Sequence, residues 1–184
     1  MDRKDHRGTR KVVFVISFGM IVACFGFCGC AEMGTESVGY SNESLFPQDV
    51  TSVYVEMFDN RSFHRGVEYE LTDALAKRIE AQTPYKIVSS ADRADTVISG
   101  QIVSMLQSAL TGERQTGRAL EKQLQLRAVV NWKNLKTGEL LIDNGSVSAE
   151  ATFSQWQNQG FSYASSLAAN NLARRIVELM EKEW

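Results

Sequence analysis

An apolar run that ends in three cysteines is the feature that most constrains this chain, because it separates a leader from the part that folds. Residues 1–11 carry five Lys/Arg and two Asp, whereas residues 12–30 contain no charged residue. A basic segment followed by an apolar segment and a small residue before a cleavage point is typical of a secretory signal. All three cysteines lie at positions 24–30. The rest of the chain must therefore fold without a disulfide, a thiol nucleophile or a cysteine metal site.

The cysteines indicate a bacterial lipoprotein signal, in which a cysteine thiol takes a diacylglyceryl group and becomes the new N-terminus. Cys24 follows Ile21-Val22-Ala23, which matches the strict pattern, and it is the favoured lipidation site. Cys30 matches a relaxed pattern but leads directly into polar sequence, so it stays as the alternative. The signal peptide is then residues 1–23 or 1–29. An uncleaved membrane helix is a further alternative, because the apolar run of 19 residues approaches the roughly 20 that span a bilayer.

Charge and length restrict what the remaining chain can do. Removing the leader leaves about 155–160 residues, enough for one domain of ordinary size. Without the five basic and two acidic residues of positions 1–11, the totals of 20 and 22 fall to 15 and 20, a net charge of about −5. A nucleic-acid-binding domain is usually basic, so the charge argues against a nucleic-acid partner.

The pattern along the chain predicts a lipidated tether over residues 24–48 and a folded domain over residues 49–184. The predicted elements are a strand over 49–58, a helix over 64–82, strands over 85–89, 95–106, 124–132 and 140–153, and a helix over 161–183. The order β-α-β-β-β-β-α predicts an α+β two-layer sandwich. Its sheet is mixed or antiparallel with four or five strands, and both helices cover one face. The other face is left for water or for a partner.

The helices and the central hairpin have specific sequence signals. The apolar stripe of the first helix is Val67, Leu71, Ala74, Leu75 and Ile79. The stripe of the last helix is Ala164, Leu167, Ala168, Leu172, Ile176 and Leu179. Asn134–Gly138 predicts a hairpin turn in which Gly138 takes a positive φ. Residues 107–123 are polar and without a clear period, which predicts a long loop or a flexible hairpin tip.

Few residues suggest catalysis. His64 is the one histidine outside the leader and stands at the start of the first predicted helix, where a surface or capping role is usual. Asp92 and Asp95 lie close together in a predicted turn, and we expect them to be solvated turn formers. No zinc-protease, hydrolase, phosphate-loop or dinucleotide motif is present in the sequence. The sequence therefore predicts a protein that is not an enzyme, with no cofactor and no metal.

Two groups of residues are candidates for binding. Arginine and lysine side chains bind phosphates through charged hydrogen bonds, and the candidates in and after the polar segment are Arg114, Arg118, Lys122 and Arg127. Within a helix the first three would form one basic stripe, and the alternative is a solvated loop. Aromatic residues also surround the start of the last helix: Phe153, Trp156, Phe161 and Tyr163. Core packing is the default interpretation of these, and an exposed patch would indicate a protein partner.

Several segments taken in order resemble the LptE family of lipopolysaccharide-assembly lipoproteins. The segments are Gly39-Tyr40 near the leader, Val53–Asn60, Glu70–Leu75, Tyr85–Val88 and Ala94–Ile102. The family shows a Gly-Tyr pair near the anchor, a first strand that ends in Asn, a helix with apolar spacing and a strand that begins with Ala-Asp. The resemblance covers residues 39–182.

The resemblance implies a location and a partner. It implies a small α/β domain anchored by lipid in the outer membrane and facing the periplasm. The family acts as plug and assembly partner of the LptD β-barrel, and some members bind lipopolysaccharide through basic residues. On this reading Arg114, Arg118, Lys122 and Arg127 are candidate contacts to lipopolysaccharide or to the partner. The alternative is another periplasm-facing lipoprotein that serves as an accessory or activator subunit of an envelope enzyme or transporter.

Overall fold

The computed structural model describes residues 45–112 and 119–181, which form one mixed sheet and two helices. The strands and helices in chain order are β1 (Ser52–Val55), β2 (Asp59–Asn60), α1 (Val67–Gln82), β3 (Lys86–Ile87), β4 (Thr96–Gly112), β5 (Ala119–Asn134), β6 (Leu140–Ser154) and α2 (Phe161–Leu179). Short 3-10 turns cover Ala91–Arg93 and Gln155–Gln157. The leader, with Cys24 and Cys30, and the tether up to residue 44 lie outside the described residues.

The sheet has the order β3-β1-β4-β5-β6, and β2 pairs separately with β4. β1 runs parallel to β3 and β4, whereas β4, β5 and β6 form an antiparallel meander. Parallel neighbours need a crossover, and α1 lies in the connection from β1 to β3. The predicted α+β sandwich with a mixed sheet and two helices is confirmed.

The core lies between the helices and one face of the sheet. Each residue of the predicted α1 stripe is buried. On β5, Leu124, Leu126, Ala128, Val130 and Trp132 alternate inward and are all buried. In α2 the predicted stripe is buried except at Leu167, which is half-buried, and Leu179, which is 39% exposed. Burying side chains of this size stabilises the fold by about 1.5–3 kcal/mol each before the entropy cost is counted.

The first strand differs from its predicted span of 49–58. It divides into β1 and the two-residue β2, with Met57 exposed and Phe58 buried between them. The reason lies in β4, where Gly100 has no side chain. A Cβ at Gly100 would stand 2.5 Å from the Phe58 ring, so the ring occupies the space that glycine leaves open. The chain leaves the sheet to bury Phe58, and the strand alternation ends there.

The polar segment 107–123 also differs from the predicted loop. β4 continues to Gly112 and β5 begins at Ala119, so both arms are strands, and residues 113–118 lie outside the described part. The register shifts at Val103 and at Leu110, where β4 has one more residue than β5. Polar residues fit these arms because most of their side chains reach solvent, while pairing with the opposite strand satisfies the backbone groups.

The predicted turns of the meander are confirmed. Gly138 has a φ of 76°, and its N–H donates to the Asn134 carbonyl at 2.9 Å. Within β6, Asn144 has a φ of 49°, and Val130 and Trp132 of β5 pair with Gly145 and Ile142 on either side of it. Asparagine tolerates this left-handed conformation better than most residues.

Candidate functional site

The face of the sheet opposite the helices is uncovered by any described element, and we call it the open face. Residues directly opposite each other in antiparallel strands share a face, so the register assigns its side chains. They are Gln101, Ser104, Leu106, Ser108, Gln123, Gln125, Arg127, Val129, Ser146, Ser148, Glu150 and Thr152. Most are polar, and the same register also places Glu121 and Lys133 on this face, so its charged residues on β5 and β6 are Glu121, Arg127, Lys133 and Glu150. The open face is therefore suited to water or to a polar partner surface.

One acidic residue of the open face, Glu150, is held by its neighbours. Glu150 on β6 accepts hydrogen bonds from Gln123 and from Gln125, the latter at 3.1 Å. Arg127 is exposed two positions along β5 and makes no ion pair with a described residue. The network fixes the amide groups of β5, while the guanidinium of Arg127 stays available.

The second feature is the distal hairpin, which we define as Leu106–Gly112 of β4 with Ala119–Gln123 of β5. From Ile102 to Gly112 the strand extends about 33 Å at the usual rise of about 3.3 Å per residue. Leu106 is 61% exposed and Leu110 is 48% exposed. Apolar side chains that reach solvent on an extended hairpin are more typical of a contact surface than of a core.

Two of the predicted binding residues lie within the described part, and the sheet separates them. Lys122 is in β5 with Ala109 and Phe153 as its cross-strand neighbours, on the face that the helices cover nearer the core. Arg127 is five residues further on, and an odd separation along a strand places it on the open face. Arg114 and Arg118 lie outside the described residues. The structure therefore does not bring Lys122 and Arg127 together.

The predicted aromatic group is partly core and partly surface. Phe153 is buried, and Phe161 is half-buried with its ring 4.5 Å from the ring of His64. Tyr163 is 49% exposed and Trp156 is 68% exposed. His64 is exposed and packs against the first residue of α2, which agrees with the surface role that the sequence predicts.

The loop between β2 and α1 presents a feature that sequence reasoning missed. We call Arg61–Arg65 the Phe63 loop, because Phe63 at its tip is fully exposed. The Asn60 amide N–H groups donate to the His64 carbonyl at 2.7 Å and to Glu68 Oε2 at 2.6 Å. Its Oδ1 accepts from Ser62 N–H at 2.8 Å. Asn60 ends the first-strand segment of the family resemblance, and that was the available signal.

The start of α1 secures the same loop. Glu68 Oε2 also accepts the Gly66 N–H at 3.0 Å, and Gly66 takes a φ of 100° at the N-cap. Burial raises the pKa of Glu68, but hydrogen bonds from backbone N–H groups and Asn60 outweigh it and lower the pKa overall. An ionised Glu68 therefore joins the loop to the helix N-terminus, where negative charge is favoured.

Asp95 corrects a sequence prediction. It is 9% exposed and is not a solvated turn former. Its Oδ2 accepts from the backbone N–H of Thr51 at 3.1 Å and of Ser52 at 3.0 Å, and from both hydroxyls. Its Oδ1 pairs with Lys136 Nζ. We call this cluster the Asp95 clamp, since it joins the starts of β1 and β4 to the β5–β6 turn.

The partners of the clamp determine its ionisation. The Lys136 ammonium and the Thr51 hydroxyl, followed by Ser52 and the Thr51 backbone, outweigh desolvation and hold the pKa of Asp95 well below its usual range. The carboxylate is therefore charged at any pH at which the protein works. Its chemistry is structural, because every oxygen is already paired within the fold.

Metal and membrane features are absent from the described residues. Within residues 45–112 and 119–181, no group of three or more His, Cys, Asp or Glu could hold a metal ion. In the same part of the chain, neither helix has the length and apolar character needed to cross a membrane.

Solved structures share the fold at low sequence identity. The hypothetical protein CT253 from Chlamydia trachomatis is 10% identical, with a TM-score of 0.52 over 70% of this chain and 94% of that one. Rare lipoprotein B from Shewanella oneidensis is 18% identical, with a TM-score of 0.45 over 71% and 93%. The PelC dodecamer from Paraburkholderia phytofirmans is 14% identical, with a TM-score of 0.47 over 76% and 96%. The first of these carries the comparison of folds.

Sequence comparison identifies the family. No curated protein sequence matches the chain. The family model described as "LptE: Lipopolysaccharide-assembly" matches residues 50–182, which include every strand and helix of the described domain. The match begins after Gly39-Tyr40, so it rests on the folded domain and not on the segment near the leader. This chain therefore belongs to the LptE family of lipopolysaccharide-assembly proteins.

Proposed function

We propose that this protein is a lipid-anchored outer-membrane lipoprotein that faces the periplasm and assists lipopolysaccharide assembly. In this proposal it is the plug and assembly partner of an LptD-like β-barrel. Its role is binding, with no catalytic step. Residues 1–23 or 1–29 are the signal peptide, Cys24 or Cys30 carries the lipid, residues up to 48 are the tether, and residues 49–184 are the functional domain.

The open face is the observation that carries the proposal. β5 spans 16 residues, about 50 Å at the usual rise per residue, and no described element covers its outer side. The interior of a membrane β-barrel is polar, because lipid-facing and lumen-facing residues alternate along its strands. A long polar face with balanced charge is compatible with such a wall, whereas an apolar face would favour lipid or another hydrophobic surface.

In this proposal the distal hairpin is the end of the domain that enters the barrel first. β6 pairs with it as far as Ser154, opposite Glu121, so the arm is three-stranded up to that point and two-stranded only at its end. The tether enters at the opposite end, beside the Asp95 clamp. The hairpin can therefore enter a lumen while the anchored end stays outside.

Contact with lipopolysaccharide belongs to the same proposal. Arg127 on the open face and Lys122 on the other face of the hairpin are described, and Arg114 and Arg118 complete the candidate set. Because Lys122 and Arg127 lie on opposite faces, the proposal assigns them to different contacts and not to one phosphate group. Glu150 and the acidic total of the chain limit any general attraction for an anionic glycolipid.

Site-specific photocrosslinking in cells tests the barrel partnership. A crosslinking amino acid at Gln125, on the open face, is expected to give an adduct with a large β-barrel protein. The matched control is Glu139, which is exposed in the β5–β6 turn at the tether end and should give little of that adduct. Adducts at Gln125 with an inner-membrane transporter or a cell-wall synthase, and none with a barrel, would contradict the proposal and favour the accessory-subunit alternative.

A further inference from the structure

We propose that the Phe63 loop is a second contact of the domain with the membrane, and that it binds the interface of an anionic phospholipid bilayer. Phe63 would enter the interface while Arg61 and Arg65 meet lipid phosphates. The inference rests on the proposed function for one element only, the lipid anchor that keeps the domain near a bilayer.

The loop is built to present Phe63 and is not a loose segment. Asn60 uses both amide N–H groups and its carbonyl oxygen on the loop and on Glu68. The Arg61 N–H donates to the Ile102 carbonyl at 3.0 Å, and the His64 ring packs on Phe161. The residues on both sides of Phe63 are thus fixed. A fully exposed phenylalanine on a fixed loop gives up the stabilisation that burial would bring.

The charges around the tip select the partner. Arg61 and Arg65 are exposed, and neither forms an ion pair with a described residue. The nearby carboxylate of Glu68 accepts hydrogen bonds from Asn60 and Gly66 and attracts Arg65 without forming an ion pair, so two basic side chains stand beside one acidic group that is already hydrogen-bonded. An aromatic ring between two guanidinium groups has the composition of an interfacial anchor, since aromatic and basic residues concentrate at the headgroup level. Each arginine near an anionic surface strengthens binding about fivefold.

A bilayer fits this loop better than a protein pocket does. The polar groups of Asn60, Ser62 and Glu68 are satisfied within the loop, so its exposed side chains are Phe63, the two arginines and His64, whose ring packs on Phe161. A protein interface normally adds about one directed hydrogen bond per 100–200 Å². A fluid interface needs no such geometric match.

The position of the loop allows contact beside a barrel. β2 pairs with Gln101 and Ile102 of β4, so the loop lies near the part of β4 that continues into the distal hairpin. If the hairpin lay inside the lumen of a barrel, the Phe63 loop would lie near the rim of that barrel. The 15 residues from Cys30 to Leu45 span at most about 50 Å when extended. That length lets the tether return to the same leaflet, and the anchor raises the local concentration, so a weak contact suffices.

Fluorescence quenching by brominated lipid tests the inference on the full-length lipidated protein. The variant F63W is placed in phosphatidylcholine vesicles with or without phosphatidylglycerol, using acyl chains that carry bromine. The signal of the native tryptophans, measured on the wild-type protein, is subtracted from that of each variant. The matched control is L135W, because Leu135 is a 40% exposed residue at the tether end. We expect quenching of F63W in anionic vesicles and none of L135W.

A second comparison tests the arginines. Adding either R61Q or R65Q to F63W should reduce the quenched population about fivefold. High salt should also reduce it, because salt screens the attraction between the arginines and the lipid phosphates. Position 63 is fully exposed, so thermal unfolding should match wild type and exclude a folding defect. Quenching of F63W that is equal to L135W, or equal with and without phosphatidylglycerol, would overturn the inference. So would a photocrosslinker at position 63 that joins only to protein in cells.

Failure of the anchor is a separate result. Loss of the protein from vesicles after a high-salt wash would contradict the proposed lipidation. Quenching of F63W measured before the wash, at low salt, would still support or overturn the loop contact. The barrel adduct at Gln125 is scored independently of both.

Discussion

The tether end and the distal hairpin are parts of one sheet, yet they differ in how completely their groups are paired. At the tether end, the Asp95 clamp satisfies a carboxylate, and the Tyr85 ring packs against those of Phe46 and Trp132 with centroid distances of 5.9 Å. On the distal hairpin, leucines reach solvent and the face is polar. Paired and buried groups are therefore concentrated at the tether end, whereas the distal hairpin leaves side chains exposed that a partner can contact.

The largest expected effect is at the clamp. D95A leaves the N–H groups of Thr51 and Ser52 without their acceptor, and should lower the free energy of unfolding by about 3 kcal/mol. Chemical denaturation measures it. The matched control is K136Q, which removes an exposed partner and should cost about 0.5 kcal/mol. Equal losses for the two variants would show that the ion pair and not the buried acceptor matters, and would break the comparison.

The clamp also predicts a dependence on pH. The folded pKa of Asp95 is depressed, so its contribution is complete above the unfolded value of about 4 and is lost as the pH falls below it. We expect a loss of about 1–2 kcal/mol through this group between pH 5 and pH 2. The difference between wild type and D95N, measured across this range, isolates it. A difference that stays constant with pH would contradict the depressed pKa.

A smaller effect is expected at the Phe63 loop, which lies between the tether end and the distal hairpin. N60A removes the hydrogen bonds that hold the Phe63 loop, and should cost about 1 kcal/mol because its partners can reach water. Hydrogen exchange should show faster exchange at Ser62 and Gly66, whose N–H groups depend on Asn60 and Glu68. S62A is the control, since it keeps the Asn60 amide contacts. If N60A left both exchange rates unchanged, the loop would not depend on Asn60.

The smallest effect on stability is expected on the distal hairpin. L110S changes a half-exposed side chain and should alter the free energy of unfolding by no more than about 0.5 kcal/mol. The same change should reduce barrel capture if the hairpin enters a lumen. I142A, at the buried part of the meander, is the stability control. If L110S lowered the free energy of unfolding as much as D95A does, the proposed division between a stabilising tether end and a partner-binding distal hairpin would be wrong.

The helices and turns could be predicted from the sequence because their signals are local. Val67, Leu71 and Ile79 recur at helical spacing, and each is buried where that spacing places it. Gly138 has the positive φ that a tight hairpin requires. These features depend on residues within a few positions of one another, so a single stretch of sequence contains the necessary information.

The clamp and the Phe63 loop could not be predicted because their partners are distant or their roles are geometric. Asp95 is 44 residues from Thr51, and nothing near it in the sequence distinguishes an acceptor from a solvated turn residue. Phe63 is a large apolar residue of the kind that is usually buried in a core, and only the structure shows that its side chain is exposed. Lys122 and Arg127 were grouped by proximity, and their separation follows once the segment is known to be a strand.

The Asp95 clamp has a mechanical consequence for an anchored protein. Phe46 and Val50 are buried before β1 begins, and Tyr85 donates to the Pro47 carbonyl at 3.0 Å, so tension on the anchor meets this packing first and then reaches Thr51 and Ser52. Parallel pairing alone would let β1 peel from β3 and β4 one residue after another. The clamp fastens the first two residues to β4 and to the β5–β6 turn, which spreads the load over three strands. A pull from the membrane is therefore shared between the packing of residues 46–50 and the clamp that follows it.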